Sequence, residues 1–163
     1  MKYYTGVGSR STPQAVLNTM IKIGSKLESN HYILRSGGAN GADTAFETLV
    51  DSSNKAIYLP WLGFNGHPSE EWSPARAAYC MAKRFHPNWS NLNANVRHLM
   101  ARNSHQVMGH DLNTPSEFVI CYTPEGKGGG GTGQALRIAK HYDIPIFDLG
   151  DLRVLDLFNS LMT

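Results

Sequence analysis

The chain has 163 residues, 41% hydrophobic and 17% charged, with a formal net charge of +2; this fits one domain over residues 1–163 with a sizeable core and excludes a disordered chain. So slight a charge argues against nucleic acid as a partner, and no apolar run reaches membrane-spanning length. Cys80 and Cys121 fit neither a disulfide framework nor a zinc site, and Met1-Lys2-Tyr3-Tyr4 opens no signal peptide, so the cytoplasm is the expected compartment.

Tyr3 to Val7 reads as a first strand ending at Gly8-Ser9-Arg10. Thr12-Pro13 then supplies an N-cap with proline at the first helical position, and Val16, Met20, Ile23 and Leu27 follow at helical spacing. Tyr32 to Leu34 forms the second strand, broken by Ser36-Gly37-Gly38-Ala39-Asn40-Gly41, with a helix from about Ala42 to Val50. Lys55 to Leu59 is the third strand. Trp61 to Glu71 is a long loop, and Ser73-Pro74 opens a helix reaching Arg84. Asn91 or Asn93 caps another that runs to Met108. Phe118 to Tyr122 is the fourth strand, Gln134 to His141 a helix, Pro145 to Phe147 the fifth strand, and Leu152, Leu155, Phe158 and Leu161 share a face of the last helix.

This alternation predicts an α/β, Rossmann-like parallel sheet with helices on both faces. Ligands in such folds bind beyond the carboxyl ends of the strands. Three glycine-bearing turns follow strands here, Gly6–Arg10, Ser36–Asp43 and Thr123–Thr132, and all three should open on one edge. The run Gly128–Gly133 (GGGGTG) between a buried strand and a helix is the sharpest of them. Without β-carbons the backbone is accessible, and the free N–H groups and dipole of a helix start favour an anion such as phosphate. A flexible surface loop is the plainer reading of the same residues.

Gly8, Ser9 and Arg10 offer a tight turn, a hydroxyl and a guanidinium suited to bidentate phosphate binding. Asp43 either accepts ribose hydroxyls or caps its helix. The dinucleotide fingerprint lacks its third glycine, where Arg10-Ser11 stands; the P-loop fails because Lys127 precedes its glycines; and no GxSxG elbow occurs. Of the seven histidines, His98 and His105 could share a helix face, yet no metal-ligand spacing occurs and no metal is expected. Trp61, directly after the third strand, could reach a bound base. From Trp72 to His110 there is no acid while Arg76, Lys83, Arg84, Arg97 and Arg102 occur, which is either a local positive field or a solvated face.

The segments YTGVGSR, LRSGGANGADTAFE, MARN and VICYTPEGKGGGGTGQALRIA, spanning Tyr4 to Ala139, resemble the superfamily that joins DNA-processing DprA/Smf proteins with the LOG cytokinin-activating enzymes (SLOG). Small stand-alone members with this pattern are frequent in bacteriophage genomes. The resemblance implies a phosphate-binding turn at Gly129, Gly130, Gly131 and Thr132, with Arg102 matching an arginine of the LOG hydrolases. Their catalytic glutamate corresponds to Gln134, an amide that cannot act as a base, so no catalytic residue is assigned. The expectation is a binder of a phosphorylated nucleotide derivative, of ADP-ribose or cyclic ADP-ribose type, that sequesters or senses a nucleotide immune signal without turnover or cofactor. Gly8, Ser9, Arg10, Ser36, Gly37, Gly38 and Asp43 form one side of the expected site, and Arg102, Asn103, Thr123, Gly129, Gly130, Gly131 and Thr132 the other. A homodimer is implied by the resemblance. The alternatives are a LOG-like nucleoside monophosphate phosphoribohydrolase and a DprA-like single-stranded DNA-binding module.

Overall fold

In β1 (Lys2–Gly8) alternate side chains enter two separate cores, as the twofold period of a strand requires. Tyr4 packs with Leu34 and Ile120 on one face, and Val7 with Val119 and Cys121 on the other. The computed structural model describes residues 1–163 and places β1 at the centre of a five-stranded parallel sheet. Its neighbours are β2 (Tyr32–Ser36) and β4 (Val119–Tyr122), with β3 (Lys55–Ile57) and β5 (Ile146–Asp148) at the edges, in the order β3-β2-β1-β4-β5. Tyr4 lies opposite Leu34 in one pairing, and Thr5 opposite Val119 in the other.

Six helices cover the sheet. Val16, Met20 and Ile23 of α1 (Gln14–Ser29) and Phe46 of α2 (Ala42–Glu47) fill the Tyr4 side, joined by Phe158 of α6 (Leu152–Leu161). Val107 and Met108 of α4 (Ala94–Met108) and Leu136, Ile138 and Ala139 of α5 (Thr132–His141) fill the other. There α3 (Arg76–Phe85) packs against both through Ala78 and Ala82, and Met81 and Phe85 reach the same core. The Rossmann-like α/β architecture expected from the alternation is the one the chain adopts. No helix is long and apolar enough to cross a membrane.

Several boundaries differ from the sequence reading, each for a local reason. Thr12 does not cap α1, because its hydroxyl donates to the Ser9 carbonyl at 2.6 Å and helps close the turn after β1. Helix α3 begins at Arg76 rather than Ser73; the Ala75 N–H leaves the helical pattern to donate to His105 Nε2 at 3.1 Å. Asn93 is the residue that caps α4, its side chain accepting the Val96 N–H at 2.9 Å. Helix α2 ends at Glu47, where that carboxylate pairs with Lys55 at 3.0 Å and with His67. Helix α5 starts at Thr132, two residues before Gln134, because the Gly133 and Gln134 N–H groups already bond back to the Gly130 and Gly131 carbonyls.

Candidate functional site

The chain leaves β1 toward the face that carries α1, and leaves β4 toward the face that carries α5. Adjacent parallel strands whose connections part in this way leave a crevice beyond their carboxyl ends. A cavity of about 720 Å³ opens there. Its wall comes from Val7 to Ser11, from Ala39 and Asp43 after β2, from Phe64 after β3, from Leu99, Met100, Arg102, Asn103 and Gln106 on α4, and from Pro124, Lys127, Gly129 to Thr132 and Ala135.

The glycine run forms an anion-ready turn. Gly128 and Gly130 hold φ of 73° and 70°, in the left-handed region that glycine enters without strain. The first hydrogen bonds closing the start of α5 are Gly133 N–H to Gly130 O at 3.1 Å and Gln134 N–H to Gly131 O at 3.3 Å. The N–H groups of Gly129, Gly130, Gly131 and Thr132 therefore have no acceptor within the chain, while their residues line the cavity. A β-carbon at Gly129 or Gly130 would meet nothing within 4 Å, so the turn presents bare backbone to open space. Such consecutive N–H groups at a helix start attract anions through their own partial charges and the helix dipole.

The base of this turn is braced from below. Thr123 N–H donates to Asp148 Oδ1 at 2.9 Å, its hydroxyl donates to Asp148 Oδ2, and its Oγ1 accepts the Gly128 N–H at 2.8 Å. One threonine thus ties the loop to the neighbouring strand β5. Gly133 completes the fit, since a β-carbon there would lie 2.6 Å from the Gly128 carbonyl.

Helix α4 supplies the opposite wall and joins the glycine loops. Arg102 Nη1 donates to the Gly37 carbonyl and Nε to Asn103 Oδ1 at 3.0 Å. Asn103 Nδ2 in turn donates to Gly131 O at 3.2 Å. Arg102 is 6% exposed, and burial holds its guanidinium below the usual arginine range, partly offset by the charge of Asp43. Asp43 is 3% exposed and accepts the Ala39 N–H at 3.3 Å. Burial pushes its carboxyl up to about 6, against the opposing pull of Arg102 and of the Ala39 and Gly37 amides. Asp43 is the single acid in a cavity wall that also holds Arg10, Arg102 and Lys127, so the wall carries net positive charge.

Of the residues expected at the site, Gly8, Ser9, Arg10, Asp43, Arg102, Asn103, Gly129, Gly130, Gly131 and Thr132 come together around the cavity. Ser36, Gly37, Gly38 and Thr123 stand behind its wall. Ser36 is fully buried and its hydroxyl donates to Gly6 O at 2.6 Å, which locks β2 to β1. Trp61, expected near a base, instead packs edge-on against Phe64 at 5.3 Å between centroids, and Phe64 is the aromatic residue that reaches the cavity. Lys127, discounted for preceding the glycines, lines the rim beside its ion-pair partner Glu125.

No family model and no curated protein matches the chain. Among solved structures it is similar to DNA processing protein A from Helicobacter pylori, whose structure concerns a single-stranded DNA binding mode, with a TM-score of 0.58 at 17% identity over 99% of this chain and 80% of that one. At that identity the likeness is one of fold.

Gln134, which the sequence resemblance matches to a glutamate of the LOG hydrolases, points away from the cavity. Its Nε2 donates to Ala82 O at 3.0 Å and its Oε1 accepts from Arg137 Nη2 at 2.7 Å, both beneath α3. The residue of the first turn of α5 that faces the cavity behind Thr132 is Ala135. The α4 histidines point elsewhere too. His98 is hydrogen-bonded to the Tyr79 hydroxyl, and His105 sits between the Ala75 N–H and the Gly109 carbonyl.

Proposed function

We propose that this protein binds a phosphorylated nucleotide derivative, with a phosphate on the Gly129–Thr132 turn and the remainder of the molecule in the cavity. The observation that carries this reading is the set of four successive unpartnered N–H groups facing a cavity whose wall holds three cations and one acid. Phe64, Leu99 and Met100 provide apolar surface of the kind that accompanies anchoring polar groups in small-molecule sites. Binding without turnover is supported by the direction of Gln134, which leaves α5 no carboxyl or carboxamide at the cavity. ADP-ribose and its cyclic forms belong to this ligand class on the strength of the SLOG resemblance, and the wall residues make no distinction between them and a nucleoside monophosphate.

A second reading, DNA as the phosphorylated ligand, draws on the fold likeness to a single-stranded DNA-binding protein. It places a backbone or terminal phosphate of the strand on the same turn.

A thermal-shift panel of AMP, NAD, ADP-ribose and cyclic ADP-ribose, run beside a labelled oligothymidylate, tests both. A ligand at a hundredfold its Kd should raise the melting temperature by about 5–10 °C. Gly129→Asp, which sets a carboxylate into the turn without crowding it, should abolish the rise. Stabilisation by oligonucleotide alone, falling steeply with salt, selects the second reading. If neither class binds, the proposal fails.

A further inference from the structure

The carboxamide of Gln106 is the one polar side chain of the cavity wall that is deeply buried and has no hydrogen-bond partner in the protein. Gln106 is 2% exposed and lies one turn beyond Arg102 on α4. Its main-chain carbonyl accepts the Thr5 hydroxyl at 2.6 Å, but neither carboxamide atom meets a donor or acceptor. The group is not sealed away like the Tyr4 hydroxyl or the Nε atoms of Arg35 and Arg97, which are buried and unpartnered; it opens on the cavity. An amide that the protein leaves unpaired where it opens on a cavity is free to take a ligand's donor and acceptor in place of water.

Its surroundings fix its place. Gly37 leaves no room for a β-carbon, which would lie 2.3 Å from Gln106 Nε2 and 2.6 Å from Arg102 Nη1. The turn after β2 therefore presses on both side chains. With Nε and Nη1 of Arg102 already engaged, Nη2 remains for the cavity. Asp43, buried close enough for its charge to act on Arg102, completes a group of one cation, one acid and one amide.

We propose that Gln106, beside Arg102 and on the same cavity wall as Asp43, forms an inner subsite that recognises a neutral edge bearing both a donor and an acceptor, either the vicinal hydroxyls of a sugar or the edge of a nucleobase. This rests on the phosphate reading above and gives the two parts of the cavity different tasks. The glycine turn takes the anion, and the inner group selects what is attached to it. A carboxamide offers one donor and one acceptor side by side, the complement of such an edge. The opposing charges of Arg102 and Asp43 suit a neutral group better than a second phosphate.

The test compares inorganic phosphate, ribose 5-phosphate and AMP by calorimetry on the full chain, in wild type, Gln106→Met and Gln106→Leu. Neither replacement removes a side-chain hydrogen bond within the protein, and Met keeps the length of the chain, so a folded variant is available. Ribose 5-phosphate or AMP should lose about tenfold or more in affinity while inorganic phosphate is unchanged. Loss already at ribose 5-phosphate assigns the edge to the sugar, and loss only at AMP assigns it to the base. Equal affinities in all three proteins, or an equal loss for inorganic phosphate, overturn the inference while leaving the anion site standing. If inorganic phosphate fails to bind the wild type, the phosphate reading falls and this inference falls with it.

Discussion

Asn103 donates its Nδ2–H to the carbonyl of Gly131 at 3.2 Å, and through this bond α4 holds the residue from which α5 begins. The same side chain accepts from Arg102, which reaches the turn after β2 at Gly37. Two loops far apart in sequence are thus set against each other by adjacent residues of one helix. Replacing Asn103 by alanine removes both bonds. It should cost about 1–2 kcal/mol, or a fall of roughly 2–8 °C in melting temperature, and weaken inorganic phosphate binding as the turn loosens. Denaturant melts and calorimetry on Asn103→Ala check the two effects separately. Unaltered phosphate affinity would show that the turn is held by Thr123 alone.

Asp43 gives a pH signature. Its folded carboxyl is raised to about 6 by burial, above the ordinary value of 3.8. Between these values the folded state binds more protons than the unfolded state, so stability falls as pH rises from about 4 to about 6. Asp43→Asn lacks this titration and should gain stability relative to the wild type between pH 4 and pH 8, by on the order of 3 kcal/mol in total. Chemical denaturation of both proteins at the two pH values measures it. A constant difference across that range contradicts the elevated carboxyl.

Gly129 and Gly133 should behave oppositely. Gly129→Asp enters open space and should leave the melting temperature within a few degrees of wild type while removing anion binding. Gly133→Ala drives a methyl group against the Gly128 carbonyl and should cost about 1–3 kcal/mol, whether or not a ligand is present. Circular dichroism melts with and without phosphate separate the two cases.

Gln134→Glu probes the hydrolase comparison. The change replaces the donor to Ala82 O with a second acceptor, beneath α3 and away from the cavity. It should destabilise by about 1–3 kcal/mol, softened by the charge of Arg137, and give no release of base from nucleoside monophosphates. Appearance of free adenine with the variant would mean that the side chain reaches the ligand after all.

Much of this site was legible because strand-ending glycines carry a local signal. Gly8 ends one apolar strand and the turn holding Gly129 and Gly130 follows another, and parallel topology sends all such turns to one edge. The residues behind the wall were less legible. Ser36 and Thr123 share the same polar chemistry as Ser9 and Thr132, and only the packing decides that their hydroxyls bond inward to Gly6 and Asp148. Phe64 was hidden beside the larger Trp61, since the turn that inserts one and leaves the other outside contains Gly63 and Asn65 at positive φ. Gln106 lies at helical spacing from Arg102, a relation present in the sequence, but its lack of a partner is visible only when every neighbour is in place. The start of α3 escaped the sequence reading for a similar reason, as Ala75 answers to a histidine thirty positions away.

The cavity is walled by a strand near the start of the chain, a helix beyond its middle and a loop near its final third, and β1 meets β4 directly only after everything between them has been threaded. Contacts so distant along the chain form slowly, and a site assembled from them has no existence in a partly folded species. Occupancy of the cavity should therefore lower the rate of global unfolding, and a protease that needs the opened chain would report the ligand by the survival of the whole protein.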